Sequence, residues 1–287
     1  MASLKEVKVR INSIKSTRKT TSAMKMVASA KLHKALSVFG NMLPYSKSLH
    51  HVMEALLSSS EFSNPLCEKR PIEKVAIVAF SSDSSLCGAF NSNIIRETQK
   101  NLQFYKNLPK ENVQIYTIGK KVYDALRKKG FSITQNFAGL AEKPDYNTIA
   151  ALAESLIKQF ETKQIDKVEI LYHHFKRAGV QILMNESLLP LVLPEPNVGA
   201  SKINTDYILE PSREDLLNNL IPKSIKLKLY TSLLDSSSSE HAARMIAMQI
   251  ATDNADNLVN ELTIVYNKTR QQAITNELLD IVGGQNK

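Results

Sequence analysis

The sequence predicts an α/β protein in two parts: a long antiparallel coiled coil of the N- and C-terminal helices, and a central α/β domain carried between them. Three observations predict it. Apolar residues step by threes and fours over both ends of the chain. Short β-rich runs alternate with helical spacing through the middle. Proline is absent before Pro44 and from residues 240–287, and it gathers where the pattern changes.

The first helix is read from Leu4, Val7, Ile11 and Ile14. Its register passes through polar Arg18, Thr21 and Lys25, then returns to Ala28, Leu32, Ala35, Phe39 and Met42. It resumes at Leu49, Val52, Met53, Leu56 and Leu57. The spacing predicts one helix from about residue 4 to about residue 58, bent at Pro44. At ~1.5 Å per residue it would be roughly 80 Å long, more than one globular domain needs.

The other end matches it. Residues 240–287 are rich in Ala, Met, Leu, Glu and Gln, which lose little freedom in a helix. Met248, Ala251, Ala255, Leu258, Leu262 and Val265 predict a heptad-like seam. The same register then lands on Thr269, Gln272 and Asn276, with Arg270, Gln271, Thr275 and Glu277 around them. The last five turns are therefore expected to be helical but polar nearly all round, at home in solvent or in a foreign surface. Gly283 and Gly284 are expected to stop the helix. Two long helices, each with one apolar seam, find their simplest partner in each other.

Between them, residues 59–72 carry two prolines and a serine cluster and read as a linker. Val75–Phe80 reads as a buried strand, 93–107 as a helix, Val113–Ile118 as a strand and 121–129 as a helix. A short strand is expected at 131–134, a helix at 148–160, a strand at 168–175 and an antiparallel partner at 180–184. Such alternation implies a mostly parallel, Rossmann-like sheet covered by helices. Pro190, Pro194, Pro196 and Pro211 mark the exit, Ser212 is the expected N-cap of the next helix, and the chain is expected to run helical after Pro222. The organisation is thus 1–58 (N-terminal coiled-coil helix), 73–195 (α/β domain) and 210–287 (C-terminal coiled-coil helix).

Composition sets bounds. With 43% hydrophobic and 23% charged residues among 287, the chain is an ordinary folded protein. Its longest apolar run is too short to cross a bilayer. The first heptad begins at Leu4, which leaves no signal peptide or organellar leader, so the chain is expected to stay where it is made. Two cysteines, Cys67 and Cys87, give neither a disulfide framework nor metal spacing. Charge is concentrated: residues 1–50 hold ten Lys/Arg and one acid, Glu6, a net of +9 that equals the whole chain's. This basic rod predicts an acidic partner.

Candidate chemistry is sparse. The loop 81–93 (SSDSSLCGAFNSN) follows the first strand, where open α/β sheets bind ligands. Asp83, Ser84 and Cys87 could be a base and nucleophiles, but no histidine is near in sequence and no GxxxxGK[ST] or GxGxxG loop occurs. The loop reads as a structural turn around a small buried thiol. Neighbouring histidines at 50–51 and 173–174 cannot share a face of a helix or strand, so a metal is not expected. Met24, Met26, Met245 and Met248 read as packing residues. No catalytic residue, cofactor or metal ligand is assigned.

Three motifs resemble the gamma subunit of F-type ATP synthases: KTTSAMKMVASAKL (19–32), SSDSSLCGAFN (81–91), and ARMIAMQIATDNADNL with YNKTRQQAITNELLDIVGG (266–284). They occur in the family's order and span nearly the whole chain; the last is the most specific. Ser84 and Ser85 stand where the family has Arg-Gly, so that arginine's contact is not carried over. Gly284 stands where the family has Ala. The resemblance implies a non-catalytic rotor shaft inside a ring of three alpha and three beta subunits, its α/β domain near the epsilon subunit and the c-subunit ring. By motif match, Arg244, Arg270, Gln271, Thr275 and Glu277 would contact the ring. Lys19, Met24 and Lys25 would face the acidic loop of beta. The implied location is peripheral, on the cytoplasmic face of a bacterial plasma membrane. Two other readings compete: a small α/β enzyme with helical extensions, and a basic coiled coil that binds nucleic acid. The Trp-free basic helix lacks stacking or base-reading residues, and no nucleic-acid partner is expected.

Overall fold

The structure, a computed structural model, describes residues 3–57, 64–191, 209, 210 and 212–284. Residues 59–63 of the expected linker, and Pro194, Pro196 and Pro211, lie outside them. Among the described residues the α-helices and β-strands follow in the order α1 (Leu4–Leu57), β1 (Val75–Phe80), α2 (Phe90–Phe104), β2 (Val113–Ile118), α3 (Lys120–Lys128), β3 (Gln135–Phe137), α4 (Tyr146–Glu161), β4 (Lys167–Arg177), β5 (Val180–Leu189) and α5 (Arg213–Gly284), with short 3-10 turns at Pro65–Cys67 and Lys110–Asn112. The chain divides into two units, Met1–Ala30 with Arg244–Lys287, and Lys31–Ala243.

The first unit is a helix pair. On α1 the less exposed positions are those of the sequence seam, including Leu4, Val7, Ile11, Ile14, Arg18, Thr21, Lys25 and Ala28. The polar middle of that seam is matched across the pair. Arg18 Nη1 lies 2.6 Å from Asp256 Oδ1, and the hydroxyls of Thr21 and Thr252 are 2.8 Å apart. Rising numbers on α1 meet falling numbers on α5, so the helices run antiparallel. The Arg18–Asp256 pair is nearly half exposed and adds at most ~1 kcal/mol; it sets register more than it stabilises.

On α5 the expected seam is corrected at alternate positions. Met248, Ala255, Leu262 and Thr269 are sheltered, but Leu258 and Val265 are 44% and 48% exposed. Their places are taken by Val259 and Tyr266, on a line of sheltered residues that begins at Thr252 and continues to Ala273. From each heptad anchor the seam steps four residues before it steps three. Because 3.6 residues make a turn, either step keeps roughly to one face, and apolar residues stand at both.

In the second unit β1, β2, β3 and β4 are parallel and β5 is antiparallel to β4, in the order β3-β2-β1-β4-β5. Central β1 is buried on both faces, as parallel strands under helices must be. Its alternate residues serve two cores. Val75, Ile77 and Ala79 pack with Ile94, Leu102, Val122 and Leu126 of α2 and α3. Ala76, Val78 and Phe80 pack with Ile149, Leu152 and Leu156 of α4, and with Leu49, Met53, Ile221, Ile225 and Leu229 of α1 and α5. Asp145 starts α4 by accepting from the Thr148 N–H at 2.8 Å.

Some boundaries differ from expectation. The short strand is 135–137, not 131–134, because Gly130 (φ +79°) and Phe131 close the end of α3 by bonding back to Arg127 and Leu126. The antiparallel strand extends to Leu189. Ser212 caps α5, its hydroxyl accepting from the Asp215 N–H at 3.1 Å. The helix then runs unbroken from Arg213 through Pro222, which forfeits only its own N–H bond. Pro44 likewise sits inside continuous α1.

Candidate functional site

Open α/β sheets bind ligands beyond the carboxyl ends of the strands, where the strand order reverses. Here that point lies between β1 and β4, since β1 connects outward to β2 on one side and is flanked by β4 on the other. The loop after β1 is tightly self-bonded. Asn91 Nδ2 donates to Ser82 Oγ at 2.7 Å and to Cys87 Sγ at 3.0 Å, and Asn91 Oδ1 accepts from the Ser82 N–H at 3.1 Å. Asp83 Oδ1 accepts from the N–H groups of Lys120 and Gly139. That bond places the carboxylate on the N-terminus of α3, where the helix dipole favours it. Gly119 has φ +93°, and a Cβ there would stand 2.2 Å from the Ser81 carbonyl oxygen, so the two strand ends close on each other. Cys87 is 1% exposed and enclosed. Leu86, by contrast, projects at 60% exposure from a positive-φ backbone. Asp83, Ser84 and Cys87 are brought together as a turn, not as a nucleophile and its base.

The crevice itself is filled by the chain. The polar stretch Asp235–His241 of α5 lies there, every residue in it 6% exposed or less. Asp235 Oδ1 accepts from the Phe175 N–H at 2.7 Å, and its Oδ2 meets His174 Nδ1 at 2.6 Å. Ser239 Oγ donates to the His173 carbonyl at 3.0 Å. Burial pushes the Asp235 carboxyl above its ordinary value, against the lowering effect of the Phe175 N–H and of His174. His173 and His174 point to opposite sides of β4. His174 reaches Asp235, whereas the His173 ring is 2% exposed and stacks on Phe90 with centroids 4.3 Å apart. Burial lowers the His173 pKa to about 4. The other pair also parts: His50 meets Glu54 at 3.4 Å along α1.

A second buried carboxylate, Glu169, lies near the amino end of β4. Asn101 and Tyr105 donate to it at 2.6 and 2.7 Å, and Lys167 pairs with it at 2.5 Å. Its charge is thereby met within the fold. A cleft of about 410 Å³ has Ala35, Val38 and Leu234 in its wall and Lys31 at its rim. Lys31 is bonded to Glu142 at 2.7 Å, and this bond holds the Glu142 carboxyl below its ordinary value.

The residues expected to meet partners all lie in the helix pair. Lys19 is exposed, Met24 is 42% exposed, and Lys25 is half-buried on α1. Arg244 is half-buried on α5. Arg270, Gln271, Thr275 and Glu277 are exposed; Arg270 and Glu277 share one face, seven residues apart, and Gln271 and Thr275 share the next. The Thr275 hydroxyl turns inward, donating to the Gln271 carbonyl at 2.9 Å. One expectation fails here. The tip is not polar nearly all round: Ile274, Leu278, Leu279 and Ile281 are exposed by 45–63%. The signal is present in sequence as the i, i+4, i+7 spacing of Ile274, Leu278 and Ile281, off the register of Met248, Ala255 and Leu262.

Known proteins match nearly the whole chain. The sequence model of the family described as ATP synthase matches residues 3–286. The ATP synthase gamma chain of Bacteroides fragilis is 54% identical over 287 residues, 99% of each chain. That of Phocaeicola vulgatus is 54% identical over 286 residues, again 99% of each. That of Flavobacterium johnsoniae is 43% identical over 286 residues, 99% of this chain and 98% of the relative. Among solved structures, a chain of the Euglena gracilis mitochondrial ATP synthase OSCP/F1/c-ring assembly shares the fold. Its TM-score is 0.68 at 21% identity, over 99% of this chain and 93% of that one. A chain of the same organism's ATP synthase rotor gives 0.63 at 20% identity, over 94% and 98%.

Proposed function

This chain belongs to the ATP synthase gamma chain family, and on that premise we propose that it is the central rotor shaft of an F-type ATP synthase. It couples ion flow through the membrane ring to ATP synthesis or hydrolysis in the alpha/beta ring. The observation that carries the reading is the full-length relationship to gamma chains at 54% identity. Two features of the fold support it. The helix pair is antiparallel and presents exposed side chains along both helices, and the crevice that a nucleotide would use is filled by Asp235–His241. The chain itself is thus non-catalytic, and nucleotide chemistry belongs to the ring.

The alpha and beta subunits surround the helix pair. Lys19, Met24 and Lys25 face the acidic loop of beta, which answers the basic charge of α1. Arg244, Arg270, Gln271, Thr275 and Glu277 contact the ring. Hydrogen bonds of ~0.5–1.5 kcal/mol each can bear load together yet release one step at a time. The exposed Ile274, Leu278 and Ile281 give the tip an apolar bearing surface beside those polar grips. The α/β domain meets the epsilon subunit and the c-subunit ring, and no nucleic acid is bound. The complex sits peripherally on the cytoplasmic face of a bacterial plasma membrane; no helix among the described residues is long and apolar enough to cross one.

Affinity purification of the tagged full chain from native membranes tests the reading. Alpha and beta subunits should co-purify in equal amounts, three of each per gamma. Recovery of the chain without them, together with nucleotide binding by the chain alone, would favour the small-enzyme reading instead.

A further inference from the structure

Helix α5 serves both units, and its buried part is an unusual root. From Leu217 to Leu234 it inserts apolar side chains, Leu217, Ile221, Ile225, Leu229 and Leu233, each at 1% exposure or less. One turn later the composition inverts: Asp235 to Glu240 are all polar, and all are buried. Polar burial is costly unless each group is bonded. Stability alone would be served as well by more leucine, so the polar turn calls for another explanation.

Geometry supplies one. Asp235 and Ser239 stand four residues apart, hence on one face of α5. Between them they bond three consecutive residues at the end of β4: the His173 carbonyl, the His174 ring and the Phe175 N–H. Apolar contacts are non-directional and let a helix settle at several angles about its own axis. Hydrogen bonds of 2.7 and 3.0 Å to backbone groups on a rigid strand do not. Beyond Ser239 the same helix continues without interruption to Gly284, so a twist applied there is carried back to these bonds.

We propose that Asp235 and Ser239 are positioning residues that lock the rotational register of α5 on the β-sheet and so set the torsional stiffness between shaft and α/β domain. The proposal rests on the rotor reading and deepens it. Bonds at one face, gripping a strand on both its N–H and its C=O, resist rotation in either direction. Two neighbouring ion pairs, Lys226 to Glu154 of α4 and Lys228 to Glu186 of β5, are side chain to side chain and more exposed, so they yield first.

The experiment is single-molecule rotation of the assembled complex, with the alpha/beta ring fixed and a bead on the α/β domain. At a catalytic dwell the tip of the shaft is held, and the bead's angular variance is inversely proportional to torsional stiffness. If the pin supplies half of that stiffness, losing it in Asp235→Ala/Ser239→Ala doubles the variance, a rise of roughly twofold. ATP hydrolysis under no load should stay near wild type. Asp235→Asn keeps an acceptor for the Phe175 N–H and should restore most of the stiffness. A merely structural role would lower thermal stability without widening the dwell. Should the double variant not assemble, His174→Gln serves instead: this side chain is 45% exposed, and its loss should give a smaller widening. Unchanged variance in an assembled variant overturns the proposal. A wild-type complex that does not rotate at all would instead overturn the rotor reading beneath it.

Discussion

The imidazole of His173 stacks on the ring of Phe90 at an interplanar angle of 29°, and neither ring nitrogen has a hydrogen-bond partner among the described residues. The ring is therefore neutral in the folded chain, with its pKa lowered to about 4 by burial. Its unfolded value is near 6.5. Below that pH the unfolded chain binds a proton that the folded chain refuses. The stability associated with neutral His173 is thus fully present above about pH 6.5 and lost as pH falls toward 4, by about 3 kcal/mol in all. Asp235, whose pKa is raised by burial, works in the opposite sense, favouring the fold as pH falls. Thermal unfolding of the full chain from pH 7.5 to 4.5 should show a falling midpoint. His173→Phe should flatten that slope; an equal slope in the variant would assign the pH dependence elsewhere.

The corrected seam on α5 gives a paired test. Ala255 is 5% exposed and Leu258 is 44% exposed. Ala255→Asp places a carboxylate where the helices meet and should cost about 2–4 kcal/mol. Leu258→Asp reaches solvent and should cost about 0.5 kcal/mol or less. Denaturant midpoints of the two variants decide the matter: the register read from the sequence buries both residues, so a loss at Leu258 as large as that at Ala255 would restore it.

Purified full chain, free of alpha and beta, should hydrolyse no ATP above background. The crevice at the strand ends is filled by α5, and Asp83 is committed to the N–H groups of Lys120 and Gly139. Turnover that tracks this chain through purification would show a site that the fold conceals.

At the tip, Arg270→Ala with Gln271→Ala should weaken ring assembly or lower ATP turnover by roughly tenfold if two contacts near ~0.7 kcal/mol each are lost. The α/β domain should keep its unfolding midpoint, since both residues lie outside it. Reconstitution with alpha and beta, scored for assembly and hydrolysis, measures this. Wild-type values for both would assign these side chains to solvent.

Much of this architecture was legible because its signals are local. Val75–Phe80 and Val113–Ile118 are continuous β-rich runs bounded by polar residues, and both strands have those limits. The α1 seam was read residue by residue, polar break included, because one long helix repeats its period many times. What failed depended on tertiary choices. Whether α5 faces its partner with Leu258 or Val259 is decided by the other helix. The tip's apolar stripe was missed because one register was carried past the point where it had ended. The polar plug was least legible: nothing in SSSSEH says that these side chains will be buried, and only the approach of His173–Phe175 on β4 explains them. Pro222 misled through a general rule, since a long helix rooted in a core tolerates the loss of one bond.

The pairing of Arg18 with Asp256 joins residues 238 positions apart. A ribosome adding ~5–20 residues per second delivers the second residue on the order of ten to fifty seconds after the first. Throughout that interval the seam of Val7, Ile11 and Ala28 has no mate. The nascent chain therefore emerges with its stickiest surface first and its cover last. A basic N-terminal segment that keeps chains apart by like-charge repulsion suits that wait, and it gives the +9 of residues 1–50 a use during synthesis as well as in the finished protein.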